Sequence, residues 1–186
     1  MSPDKIHVEG IRNVTPRDIQ DADRSGYALR LLGVAERAVD GAYIFVCPFF
    51  VKKDCLLAGV KGVTNGIRVV GNAVGELHFT GAGAGKLPTA SALVCDVMDA
   101  VGGDPSDNKN RAEWKKDVSE DFLKDFSERR GRTYLRFASV SESAAALLGA
   151  EIITPDALIT SEFSESELDA ILEKNSLKPI SRIRVF

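Results

Sequence analysis

Apolar and polar positions alternate from Ile6 to Ile11 in "IHVEGI", a two-residue period that predicts a short strand. "TPRD" follows, with Thr15 as N-cap, Pro16 at the first helical position and Asp18 in the first turn. The helix so begun is expected to end near Ser25, before Gly26, whose missing Cβ suits a left-handed terminal residue. "YALRLLGVAERA", Tyr27 to Ala38, reads as a strand, and Asp40-Gly41 is a hairpin signal leading back through "AYIFVCPFFV". After "KKDCLLAGV" come two more strands, "GIRVV" and "GELHFT", separated by "GNAV", which predicts an antiparallel sheet over the first half of the chain. A glycine loop then leads into a helix expected to start at Pro88 and Thr89. Its apolar residues Ala90, Leu93, Val94, Val97, Met98 and Val101 recur at helical spacing, so the stripe needs something to pack on.

The pattern breaks at Gly102. Residues 102–132 combine glycine, proline and dense charge of both signs, a composition that predicts a linker with a solvated helical stretch near Glu113 to Phe126. Trp114, Val118, Phe122 and Phe126 are its packing residues. Beyond it, residues 133–186 read as β-α-β-β-α-β, the plan of a small ferredoxin-like domain, with Ser164 and Glu167 forming a capping-box signature for its second helix. The expected fold class is α+β, a mostly antiparallel sheet with helices on one face followed by that small domain. The expected partition is 1–101, 102–132 and 133–186.

Composition narrows the picture by exclusion. With 44% hydrophobic and 27% charged residues and a formal charge of −3, the 186-residue chain has neither the profile of a disordered protein nor the basic excess that nucleic-acid binding requires. Three cysteines, Cys47, Cys55 and Cys95, and two histidines, His7 and His78, lack the spacing of a disulfide framework or zinc site, so no metal is expected. No apolar run approaches the roughly 20 residues of a membrane span, and "MSPDKIHVEG" has no signal-peptide core, which makes cytoplasm the expected compartment.

The candidate chemistry lies in "TGAGAGKLPT". A P-loop fails at two positions, since Thr80 stands at the required first glycine and Leu87 follows Lys86. A Rossmann fingerprint fails as well, because Gly81, Gly83 and Gly85 are spaced GxGxG. Two readings stay open: backbone amides that approach an anion or cofactor edge, and a tight strand-to-helix turn with no ligand. His78, inside a strand and with no partner acid recognised nearby, reads as a plain sheet residue.

The strings "VEGI...VTPRDI..A...GYALRLLGVA" and "GVTNGIRVVGNAVGELHFTGAGAGKLPTASALVCDVMD" resemble the part of homoserine dehydrogenase that follows its catalytic lysine, over Ile6 to about Val101. "GNAVGE", "GAGAG" and "PTASA" carry most of the specificity. The resemblance implies NAD(P) chemistry on L-homoserine and aspartate semialdehyde in threonine and methionine biosynthesis. It implies a cofactor contact at Gly85, with Gly83, Ala84, Pro88 and Thr89 as further cofactor-binding candidates, and a homodimer formed through the main sheet. The tail beyond Arg132 resembles a shortened ACT domain, which implies a possible amino-acid effector such as threonine. No residue here matches the family's catalytic lysine, and Glu9 and Asp18 fall where the family has structural positions. No catalytic residue is therefore assigned. The chain is expected to be inactive alone and to need a separate Rossmann-domain chain; the alternative is a non-catalytic amino-acid-sensing regulatory protein.

Overall fold

The computed structural model describes residues 6–102 and 122–186. Trp114 and Val118, and most of the expected linker helix, lie outside the described residues. The described residues fall into two compact units, 6–58 with 122–186, and 59–102.

The first unit is built on a seven-stranded sheet. Its longest strands are β2 (Tyr27–Ala38) and β3 (Gly41–Lys52), an antiparallel hairpin in continuous register from Tyr27↔Lys52 to Ala38↔Gly41. β1 is only His7–Val8, shorter than the "IHVEGI" pattern predicts, and runs parallel to β3. α1 (Pro16–Arg24) is capped by Thr15 and Asp18 in a reciprocal capping box, and Gly26 takes the expected left-handed φ of 81°.

The last third of the chain gives β6 (Arg130–Gly131), β7 (Thr133–Arg136), α3 (Glu142–Leu147), β8 (Glu151–Thr154), β9 (Ala157–Ile159), β10 (Phe163–Ser164), α4 (Glu165–Lys174) and β11 (Ser181–Val185). The order β11-β7-β9-β8, antiparallel throughout, is the split β-α-β arrangement, and Ser164 and Glu167 cap α4 reciprocally. These strands do not close a separate sheet, however. β11 also pairs in parallel with β3, Arg184↔Phe49 and Val185↔Phe50, so the expected boundary at 102–132 does not divide the sheet.

The physical reason lies in β3. Five successive residues, Cys47, Pro48, Phe49, Phe50 and Val51, are buried, a both-faces pattern that marks a central strand needing cover on either side. Phe50 packs with Tyr134 at 4.5 Å, joining Tyr27 and Ala22 to Ile159 and Ile183 in one cluster. On the other face Phe45, Cys47, Phe49 and Val51 pack with Phe126, which the sequence placed in a linker. Phe126 stands in a short 3₁₀ turn, Phe126–Glu128.

In the second unit β4 (Thr64–Gly71) and β5 (Gly75–Ala82) form a separate two-stranded sheet rather than a continuation of the first, and α2 spans Lys86–Gly102. α2 begins two residues earlier than expected. Pro88 sits at its third position, where a missing N–H leaves no intrahelical bond unmade. The apolar stripe is present but uncovered within the unit: Met98 is 66% and Val101 83% exposed.

Candidate functional site

The glycine loop joins β5 to α2. Gly83 donates its backbone N–H to the Val63 carbonyl at 2.7 Å, which anchors the loop to the entry of β4. A Cβ at Gly83 would meet the side-chain amide of the exposed Asn65, which would have to swing aside. Gly85 has a stricter requirement: its φ of 121° lies where side chains are strained. Its carbonyl accepts the Thr89 N–H at 3.1 Å, the first intrahelical bond of α2, which makes Gly85 the N-cap. Gly83, Ala84, Gly85, Pro88 and Thr89 are all exposed, and the chain thus gathers the five candidate positions on one open loop and helix start.

Three polar side chains meet on the adjoining hairpin. Glu76 on β5 accepts from Arg68 at 2.7 Å and pairs with His78 at 2.5 Å. The Arg68 hydrogen bond, seconded by His78, lowers the Glu76 carboxyl to about 2. His78 therefore has a partner acid, contrary to the sequence reading. The two residues share one strand face at two-residue spacing, a signal the period-2 rule could have found.

In the first unit a second constellation stands where β1 and β11 line the same edge of β3. Glu9 meets Arg184 there through Oε2 and Nη1, and Arg184 is held in turn by Glu165 at 3.0 and 2.8 Å. Burial acts against the Arg184 charge, but Glu165 and Glu9 outweigh it and raise its pKa. The other oxygen of Glu9, Oε1, lies 2.8 Å from His7 Nε2. Cys47 completes the group; burial pushes its thiol up to about 11. Sequence spacing could not show this trio, because the parallel register of β1 on β3 is what brings residues 7 and 9 to residue 47.

Asp18 is fully buried and structural. It caps α1 and accepts from Arg136 Nε at 2.9 Å, while neighbouring Asp21 accepts from the Tyr134 hydroxyl at 2.9 Å.

Comparison with solved structures sets the class first. The whole chain superposes on 48% of a homoserine dehydrogenase from Thiobacillus denitrificans, with a TM-score of 0.81 and 29% identity. It shares its fold with the Staphylococcus aureus homoserine dehydrogenase at a TM-score of 0.72 and 22% identity, again over 48% of that chain. The family model for homoserine dehydrogenase matches residues 1–98, and this chain belongs to that family. Homoserine dehydrogenases of Pseudomonas aeruginosa and Neisseria gonorrhoeae are 44% and 36% identical over 108 and 162 residues, which is 58% and 82% of this chain. Those matches span 25% and 37% of the respective relatives, so the chain corresponds to well under half of either.

Proposed function

We propose that this chain supplies the sheet-and-helix wall of an NAD(P)-dependent homoserine dehydrogenase, with the loop at Gly81–Gly85 as one edge of the dinucleotide site. The observation that carries the reading is the exposed glycine loop at the start of α2, in a chain whose family model covers residues 1–98. The residues present fit such an edge: Gly81 has nothing within 4 Å of where a Cβ would stand, and Gly85 leaves the backbone bare at the helix start. Gly85 is the principal contact, with Gly83, Ala84, Pro88 and Thr89 beside it. The dinucleotide, when bound, supplies the hydride acceptor.

Hydride transfer from an alcohol also needs a group that takes the hydroxyl proton within hydrogen-bond reach. No residue of this sequence matches the family's catalytic lysine, so the reading assigns that step to the nucleotide-binding portion of the enzyme, which these residues do not include. The uncovered stripe of α2 is its docking face, and a homodimer through the sheet completes the assembly.

The split β-α-β order of β11-β7-β9-β8 favours a second reading, an amino-acid-sensing module of ACT type with threonine as effector. One experiment separates them. The purified chain is assayed for homoserine-dependent reduction of NADP, alone and mixed with the nucleotide-binding portion of the N. gonorrhoeae relative. Turnover only in the mixture is expected. Turnover by the chain alone contradicts the reading, and threonine binding by calorimetry with an inactive mixture favours the sensor.

A further inference from the structure

We propose that His7, Glu9 and Cys47 form a binding site for a divalent transition-metal ion of zinc type, which ties the short strand β1 to β3. This site is separate from the dehydrogenase reading and does not depend on it.

The geometry starts from strand register. His7 pairs with Phe45 and Val8 with Val46, and the Glu9 N–H donates to the Val46 carbonyl at 2.7 Å, so Glu9 follows on towards Cys47. Side chains alternate along extended backbone, which places His7 on β1 and Glu9 just past its end on one face, with Cys47 on the matching face of β3. The three ligand atoms all lie within 4.8 Å of one another. Donors around a tetrahedral zinc ion stand about 3.3–3.8 Å apart, so modest side-chain rotations bring the trio to ligating distance. His7 and Glu9 must part slightly, from 2.8 Å, to admit an ion between Nε2 and Oε1.

The surroundings are those of a supported site. The His7 ring is stacked on Phe126, centroids 3.9 Å apart and planes 7° from parallel, which fixes its plane. Arg184 holds Oε2 of Glu9 and leaves Oε1 for the ion, and Glu165 holds Arg184. An imidazole, a carboxylate and a thiolate, formed as the ion displaces the Cys47 proton to solvent, make a mixed N/O/S set that suits zinc or cobalt better than magnesium or calcium. The His7 and Glu9 side chains are 35% and 31% exposed, so water reaches the fourth position. β1 makes only two residue pairs with β3, and an ion bridging both strands adds a tether that binding alone turns into stability.

The test is a cobalt(II) titration of the full chain after dialysis against a chelator. One equivalent is expected to give a thiolate-to-cobalt charge-transfer band with intense visible bands of tetrahedral cobalt, and zinc should displace it. Cys47→Ser abolishes the charge-transfer band, whereas Cys55→Ser and Cys95→Ser keep it. His7→Phe, which retains a ring against Phe126, weakens binding at least about tenfold and carries the test should Cys47→Ser fail to fold. Absence of the band at excess cobalt, its survival in folded Cys47→Ser, its loss in Cys95→Ser, or wild-type affinity in His7→Phe each overturns the proposal. Zinc should also raise the melting temperature of the wild type and leave that of His7→Phe unchanged; equal shifts count against the site.

Discussion

Asp18 is one of the buried charges that tie α1 to β7 in the first unit. Its side chain is wholly buried, and burial opposes ionisation, yet hydrogen bonds from Arg136 and Thr15 outweigh this and hold its carboxyl below the ordinary carboxylate range. A carboxyl whose folded pKa is lowered contributes stability in full above its unfolded value, about pH 4, and loses it as the pH falls through the folded value. Asp18→Asn leaves Arg136 without its counter-ion and should cost about 3 kcal/mol, read from urea midpoints at pH 7. Its stability should also fall less steeply than the wild type's below about pH 4. The Thr15, Pro16 and Asp18 signature was legible in sequence because capping is local. Arg136, 118 residues away, was not, since only the packing of α1 on β7 brings it there. Cys47 is the same case: the thiol's neighbours are set by strand register.

At the scale of elements, one glycine and one strand decide the arrangement. Gly85→Val forces a β-branched residue to a φ of 121°, at a cost of roughly 1–3 kcal/mol, whereas Gly83→Ala only displaces the exposed Asn65 amide and should cost about 0.5 kcal/mol. Gly85→Val should speed amide exchange around residues 80–90, where unchanged protection would show that the loop relaxes freely. β11 is the stronger structural link. Ile183 is 1% exposed within the cluster that joins Phe50 to Tyr134, and Ile183→Ala should cost about 2–4 kcal/mol. The loss should appear as one cooperative transition, with β2 and β3 amides losing protection together with those of β7. Loss confined to residues 133–186 would instead describe an independent terminal domain. Hairpin strands, caps and the order β7, α3, β8, β9, α4, β11 were readable from period and turn chemistry, while the two-residue strands β6 and β10 were not. The parallel pairing of β11 with β3 was not, because nothing local encodes a contact between the last strand and the third.

For the whole molecule, the second unit exposes apolar residues on α2 and on both hairpin strands, among them Leu93, Val97, Met98, Ile67 and Phe79. A surface of that kind calls for a partner. Light scattering at micromolar concentration should report a dimer, and Leu93→Asp with Val97→Asp should block docking of a nucleotide-binding chain while leaving the first unit folded. A monomer with no affinity for such a chain would leave the stripe unexplained. No helix among the described residues is long and apolar enough to cross a membrane. The family was legible from "GNAVGE", "GAGAG" and "PTASA" because these short strings are fixed by turns and close approaches. What they contact beyond this chain is a property of the assembly.

The central claim is that the Gly81–Gly85 loop edges a dinucleotide site, and steady-state kinetics of the reconstituted mixture tests it most directly. Gly85→Val should raise the KM for NADP at least about tenfold, the equivalent of roughly 1.4 kcal/mol of lost binding, and leave the KM for homoserine near the wild-type value. An unchanged KM for NADP in a folded, docking-competent Gly85→Val chain would contradict the claim.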